Sequence, residues 1–482
     1  MKMAVRWGEI TIGEIVEAIG GRQISGSPDR LVRGLSTDSR AMVPGHVFLA
    51  LRGEQFDGHD FLADALGAGA AGVVVEAGRP IGEELADRDA AVIAVPSTLT
   101  ALGDLASWWR EQWGGRVIAI TGSNGKSTTK EMAAAILSLK AKTMKSPGNF
   151  NNLIGLPLSI LGLEPHHELA VLEMGMNAVG EIAQLTKIAR PDIGVITNVA
   201  SAHLEGLRDL AGVAAAKGEL LREMPTRSTA ILNGDNGLTK GLASAFAGEA
   251  ITFGLGTENR VRAEDIQRVG GASQSFAIRM DGERIPATIH LPGVHNVLNA
   301  LAGAAIARCV SLPGELIARG LGEFRPLKGR FQMGELAGGI RIIDDTYNAN
   351  PSSLGAALTT IEGLREKGQG LVIGLGEMLE LGVDAAQYHF DAGKRIAAME
   401  ARFLVVLGEH GRQVIEGARK GGMVPEQIVH ASDHTEMIEA IKANVKRGDI
   451  VFLKGSRRVG LDRVVDGLKE SLDIQGEQEN AV

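Results

Sequence analysis

Lys126, Ser127 and Thr128 follow Gly122, Ser123, Asn124 and Gly125, and this order of residue types suits phosphate chemistry. A glycine-rich turn lets backbone N–H groups face an anion, and a helix starting there adds partial positive charge. Lys126 would reach the β- and γ-phosphates of a nucleotide, and the Ser127 hydroxyl would take one place on Mg²⁺. The full phosphate-loop pattern has its first glycine where this chain has Ile120, so the loop is a shortened form. The bland alternative is a helix-capping turn with a surface lysine. The order strand, turn, Lys-Ser, helix favours the nucleotide.

A strand must deliver that turn and a helix must leave it. Val117–Ile120 is a short apolar run that reads as a buried strand, and the helix runs on through Leu137. Around it, Leu169–Met174, Ile193–Val199, Thr229–Asn233 and Ile251–Phe253 alternate with helical stretches, which predicts a doubly wound parallel sheet. The alternating pattern over Val261–Leu291 predicts antiparallel strands appended to it. Ligands of such sheets sit at the carboxyl ends of the strands, where Glu173, Asn198 and Asn233 to Asp235 fall. A loop opening at Pro147-Gly148 carries Asn149, Asn151 and Asn152, more amide than a turn needs. Taken alone, His203 reads as a solvated loop residue, and Lys217, beside Glu219, as a surface helix lysine.

Two further units flank this one. Residues 1–97 read as a small α/β unit, with helices at Ile12–Ile19 and Phe61–Gly69 and strands at Val73–Glu76 and Val92–Val95. Its polar patches, Ser36-Thr37-Asp38-Ser39-Arg40 and the run from Phe48 to Asp60 that holds Asp57 and His59, read as turns with turn carboxylates. Residues 324–482 hold a second α/β series, with strands in RIIDDTYNANP, LVIGLGEM, FLVVLGEHG and DIVFLKGS. Gln475–Val482 reads as a disordered polar tail. The formal charge of −8 offers no basic field for nucleic acid or an acidic membrane. The single cysteine, Cys309, excludes internal disulfides and cysteine metal clusters. No apolar run has signal-peptide character or transmembrane length. A soluble, cytoplasmic, three-domain protein is the expectation.

TGSNGKST, Glu173, His203 with Lys217 after it, Asn296, Arg330 and Asp345 together resemble the ATP-dependent Mur ligases of peptidoglycan synthesis. GNFNNLIGLP, EMGMNAVGEI, AHLEGL, PGVHNVLNALA, DDTYNANPSS, GEMLELG and KGSR are similar to those members that join D-alanyl-D-alanine to UDP-N-acetylmuramoyl-tripeptide. The members that add the third peptide residue usually carry Asp-Asn-Pro-Arg, where this chain has Tyr347-Asn348-Ala349-Asn350-Pro351. Folylpolyglutamate synthetases share the central and C-terminal plan and lack the N-terminal unit. Two departures from the family pattern are mild: Glu377 where an aspartate is common, and Arg458-Val459-Gly460-Leu461 where a methionine is common.

The resemblance implies an N-terminal UDP-substrate domain (1–97), a central ATP-binding domain (98–323) and a Rossmann-like C-terminal ligase domain (324–482). It implies ATP bound by residues 122–128 with Asn296, Arg330 and Asp345, and two Mg²⁺ sites drawn from Ser127, Glu173, His203 and a carbamylated Lys217. Ser36, Asp38, Ser39, Arg40, Asp57, His59, Asn149, Asn151 and Asn152 match UDP-substrate positions, overturning the bland reading of the turns. Tyr347, Asn348 and Asn350 fall in the D-alanyl-D-alanine region. A monomer is expected, with no nucleic acid and no membrane insertion.

Overall fold

The computed structural model describes residues 7–53, 55–79, 90–201, 204–207 and 209–479. Among them the strands form sheets of five, nine and six members, with a two-stranded ribbon beside the first. In the first sheet Gly34–Ser36, His46–Leu49, Gly72–Glu76 and Ala91–Val95 lie parallel in that order, and Arg22–Ser25 pairs antiparallel with the last. The two expected helices form at Ile12–Ala18 and Leu62–Gly67. The strand His46–Leu49 corrects the turn expected from Phe48 onward. Val47, Phe48 and Leu49 are buried in mid-sheet, and a buried parallel strand shows a short apolar run without alternation.

Arg116–Thr121 lies inside the second sheet. Leu169–Glu173 and Thr143–Lys145 follow on one side, and Ile193–Ile196, Thr229–Asn233 and Glu249–Gly254 on the other, all parallel. The strand order reverses at Arg116–Thr121, which is where doubly wound sheets open a crevice for ligands. Val261–Arg268 continues the sheet, and Gln274–Met280 and Glu283–Ile289 complete it antiparallel, as the alternating pattern predicted. Helix Lys126–Leu137 packs on helix Val294–Cys309, whose Ala300, Gly303 and Ala304 are small enough to let the two approach closely.

The third sheet runs Gln332–Leu336, Ile340–Asp345, Ile450–Lys454, Leu371–Gly376, Phe403–Leu407, Ile428–Ala431. Its first pair is antiparallel and the rest parallel. The two outermost strands escape the sequence pattern because each is half exposed and mixes polar with apolar residues. Helix Asp462–Glu479 carries residues 475–479, correcting the expected tail. Glu and Gln extend a helix already docked through Val464, Val465, Leu468 and Leu472. Residues 480–482 lie outside the described residues. No helix among the described residues is long and apolar enough to cross a membrane.

One core joins the first two sheets. Helix Thr98–Trp113 contributes Leu102, Leu105 and Trp109 to a cluster that also holds Ile12, Ile15 and Val74 from the first unit and Val117 and Leu172 from the second. Trp7 stacks on Trp109 at 4.5 Å, and the two indole N–H groups donate to the carbonyls of Leu161 and Leu163 at 2.9 and 3.0 Å. Trp109→Ala is expected to destabilise the protein by about 3–5 kcal/mol. Because that core is shared, calorimetry should show both units losing stability together; a shift confined to one transition would contradict a shared core.

Candidate active site

The phosphate loop is bound tightly to the neighbouring strand end. Asn124 N–H donates to Asn198 Oδ1 at 3.0 Å, and Asn198 Nδ2 and Thr197 Oγ1 donate to Asn124 O at 3.1 and 2.6 Å. Ser123 Oγ donates to Ala200 O at 2.8 Å. Gly122 and Gly125 take φ of +150° and +82°, and a Cβ there would fall on Thr197 and Asn299 respectively. Only glycine fits either position. Asn233 supports this contact from behind by donating to Thr197 O at 3.0 Å. Asp235, expected on the same rim, instead closes the turn after Gly254, accepting from Leu255 N–H and Asn259 Nδ2.

Lys126 is not the solvent-facing residue that a surface turn suggests. Its ammonium folds back to Gly122 O at 2.7 Å. Burial, with Arg330 assisting, lowers its pKa, while Glu173 and Glu380 act in the opposite direction. Ser127 Oγ donates to Glu173 Oε2 at 2.8 Å, and Asn151 Nδ2 donates to Glu173 Oε1 at 2.9 Å. Ser127 and Thr128 are both buried. The Asn149–Asn152 loop thus touches the same carboxylate. Asn152 caps helix Gly155–Leu161 through Gly155 N–H at 2.8 Å, and Asn149 is exposed on the cavity wall.

The third sheet closes over this rim. Arg330 lies over the Tyr347 ring at 4.0 Å and donates from Nη2 to Ser127 Oγ at 3.0 Å. Asp345 accepts from Phe331 N–H at 3.1 Å and from Lys454 Nζ at 2.5 Å, and Lys454 also donates to Asn348 O at 2.9 Å. Asn350, expected in the acceptor region, caps helix Pro351–Leu364 and donates to Asn124 Oδ1 at 2.9 Å, so it touches the phosphate loop. Asn296 donates to Pro292 O at 2.8 Å and accepts from Asn299 at 3.2 Å. Burial holds the neighbouring His295 down to about 4, so its imidazole is neutral near pH 7. Together these residues line a cavity of about 640 Å³ between the second and third sheets.

Lys217, on helix Leu210–Lys217, has 1 % of its surface exposed, which overturns the surface-lysine reading. Burial, and then the charge of Lys126, push its pKa well below the usual lysine value. Glu219 is equally hidden, accepting from Gly180 and Ala183 N–H at 2.8 and 3.0 Å where helix Glu181–Ala189 begins. His203 lies outside the described residues.

Both polar patches of the first unit sit at the carboxyl rim of its parallel strands. Ser36 ends one strand and bonds to Asp38. Asp38 in turn accepts from Arg40 Nε and Nη2 at 2.9 and 2.8 Å, and this pairing holds its pKa down to about 2. Ser39 opens the short helix that carries Arg40 and that Asp38 caps. Asp57 accepts from His59 Nδ1 at 2.6 Å and from Arg79 at 2.7 Å, while His59 Nε2 accepts from Glu76 N–H at 3.0 Å. Both ring nitrogens of His59 are therefore committed to holding the loop.

Glu377, His389 and His410 cluster at the rim of the third sheet. His389 Nε2 accepts from Met378 N–H at 3.0 Å and its Nδ1 donates to Ala385 O at 2.7 Å, leaving no lone pair for a metal. The cluster braces the loop carrying Leu379 and Glu380 into the cavity. Asn299, Glu380 and Lys454 also line the cavity, and the sequence reading gave none of them a site role. Asn299 had a usable signal, lying three residues beyond Asn296 and hence on the same helix face.

The donors present suit a nucleotide with Mg²⁺: two hard oxygens, from Ser127 and Glu173, meet at a helix N-terminus beside Lys126 and Arg330. Family models described as Mur ligase family, catalytic domain, as Mur ligase middle domain, and as Mur ligase, glutamate ligase domain match residues 31–110, 120–307 and 329–457. A UDP-N-acetylmuramoyl-tripeptide–D-alanyl-D-alanine ligase of Bacillus subtilis is 35% identical, covering 96% of this chain and 98% of the relative. Its Escherichia coli counterpart is 34% identical over 96% and 99%. A crystal structure of MurF from Acinetobacter baumannii superposes with TM-score 0.87 at 31% identity, covering 97% of this chain and 100% of that one. MurF from Thermotoga maritima in complex with ADP gives 0.82 at 28% identity, covering 93% and 100%. On the matched domains, the full-length identity and the shared architecture, this chain belongs to the Mur ligase family, in the group of UDP-N-acetylmuramoyl-tripeptide–D-alanyl-D-alanine ligases.

Proposed function

We propose that the chain uses ATP to join UDP-N-acetylmuramoyl-tripeptide to D-alanyl-D-alanine, in the cytoplasm, through an acyl phosphate. The observation that carries this is the closed rim, where Arg330 and Asn350 of the third sheet meet Ser127 and Asn124 of the phosphate loop. A peptide carboxylate cannot accept an amine directly because its oxygen is a poor leaving group. Transfer of the γ-phosphoryl group to that carboxylate makes an acyl phosphate, and the amine then displaces phosphate with loss of a proton. The protein's part is to align the groups, neutralise charge and exclude water.

Lys126 and the loop N–H groups hold the phosphates, Arg330 reaches the γ-phosphate, and Asn296 and Asp345 take adenine and ribose. Ser127 and Glu173 hold one Mg²⁺, and His203 with a carbamylated Lys217 holds a second. Bound Mg²⁺ supplies charge neutralisation on the transferring phosphoryl group and the acyl oxygen. The depressed pKa of Lys217 supports carbamylation, since only a neutral amine forms the N–C bond to CO₂, releasing a proton. The domain boundaries belong to the same reading, near 97/98 and 323/324. They fall between Val95 and Thr98 and between Glu323 and Gln332, outside strands and helices. A monomer belongs to the same reading. A phosphate-release assay should require ATP, the UDP-tripeptide and D-alanyl-D-alanine together. Release that is indifferent to the dipeptide would contradict the reading.

On the N-terminal rim, the guanidinium of Arg40, 88 % exposed and paired with Asp38, would meet the diphosphate in this reading. Arg40→Ala is expected to raise KM for the UDP-tripeptide by roughly 10- to 100-fold, the worth of a charged hydrogen bond. Tm and KM for ATP should stay unchanged. An unaltered KM for the UDP-tripeptide would remove Arg40 from the site.

A further inference from the structure

Lys130 has 1 % of its surface exposed and belongs to none of the roles above. It stands three residues beyond Ser127 and four beyond Lys126 on one helix, so the three share a face. Its ammonium donates to Ser146 O at 2.8 Å and Gly148 O at 2.9 Å, and lies 3.4 Å from Glu131 Oε1 and 4.0 Å from Glu173 Oε2. Burying an ammonium costs several kcal/mol before its partners offset it, and an apolar side chain of similar size often serves a core as well. What an apolar residue could not do is capture those two carbonyls.

The captured turn leads directly to the site. Ser146 N–H donates to Val171 O at 3.0 Å, and Ser146 Oγ accepts from Glu173 N–H at 3.1 Å. Beyond Gly148 the chain delivers Asn151, whose side chain donates to Glu173 Oε1 and whose carbonyl accepts from Gly175 N–H at 2.8 Å. Glu173 is thus gripped by Ser127 from the phosphate-loop helix and by Ser146 and Asn151 from the loop that Lys130 holds. We infer that Lys130 is a positioning residue, fastening the Ser146–Asn152 loop to the phosphate-loop helix and so aiming Glu173 at the cation and Asn149 and Asn151 at the substrate. The inference rests on the proposed function for the identity of the ligands.

The sign of one measurement separates positioning from simple charge balance. A cation 4.0 Å from Glu173 repels a metal ion, so if charge were its whole effect, Lys130→Gln would tighten metal binding. If Lys130 aims the carboxylate, the same substitution weakens it. The probe is Mn²⁺, titrated into the full-length protein with ADP and followed by electron paramagnetic resonance. Lys130→Gln is expected to raise the Mn²⁺ dissociation constant about tenfold, the scale of losing a residue that orients a ligand. KM for the UDP-tripeptide should rise with it, and KM for D-alanyl-D-alanine should not. Unchanged or tighter Mn²⁺ binding by the folded variant would overturn the inference. Should Lys130→Gln not fold, Lys130→Met keeps the bulk of the side chain and removes the same two hydrogen bonds. Weaker Mn²⁺ binding in that variant supports the inference and unchanged binding overturns it. Mn²⁺ binding needs no amide synthesis, so a wild type that binds Mn²⁺ with ADP but forms no amide would fail the ligase reading alone.

Discussion

Lys126→Ala should lower turnover by roughly 10²–10³-fold, the cost of losing one preorganised donor to a transferring group. The protein should remain folded. In the free state Lys126 is half-buried, with Gly122 O as the hydrogen-bond acceptor of its ammonium, and desolvation lowers its pKa, so the folded chain disfavours its charge. Removing it therefore leaves stability unchanged or slightly raised, and activity and stability move independently. Two measurements check this. Steady-state phosphate release should collapse, and the rise in Tm that ADP gives the wild type should shrink in the variant. Wild-type phosphate release from a verified Lys126→Ala protein would remove the phosphate loop from the mechanism.

Lys217→Ala should be as damaging, and its loss should be reversible. A buried amine close enough to Lys126 to feel its charge is a poor neighbour for another cation, whereas a carbamate formed on it would offer hard oxygen ligands. Alanine leaves a space with no ligand in it, and at least about 10²-fold of the rate should go, as for other losses of transition-state electrostatics. Short carboxylic acids can occupy that space and place an oxygen pair near the position of the carbamate. Activity should return as acetate or formate is added to Lys217→Ala, with no such response in the wild type. Wild-type turnover should also fall when bicarbonate is stripped from the buffer. Full activity in the variant without any added acid would end the carbamate.

What could be read in the chain was what is encoded locally. The phosphate loop is one contiguous strand, turn and helix, and its glycines announce positions where a Cβ cannot stand. The buried strands of the second sheet are unbroken apolar runs, so their ends, and with them Glu173 and Asn198, could be placed. Partners contributed from far along the chain carry no such signal. Nothing local says that Lys217 and Lys130 are buried, or that Asn350 reaches Asn124 across 226 positions. His59 illustrates the same limit from the other side. The family resemblance put it among the UDP-substrate positions, and nothing local says that its ring is bonded to Asp57 and to Glu76 N–H. His46–Leu49 was hidden by its flanking polar turns, and the half-exposed strands Gln332–Leu336 and Ile428–Ala431 by their mixed composition.

The central claim, amide synthesis driven by ATP, is tested most directly by the mass of the product. The purified protein is incubated with ATP, Mg²⁺, D-alanyl-D-alanine and a UDP-N-acetylmuramoyl-tripeptide carrying lysine or diaminopimelate as its third residue. The account predicts a UDP-linked pentapeptide, heavier than one of these tripeptides by the dipeptide less one water, formed in equal amount with ADP and phosphate. ADP and phosphate formed from these substrates without any such pentapeptide would contradict it.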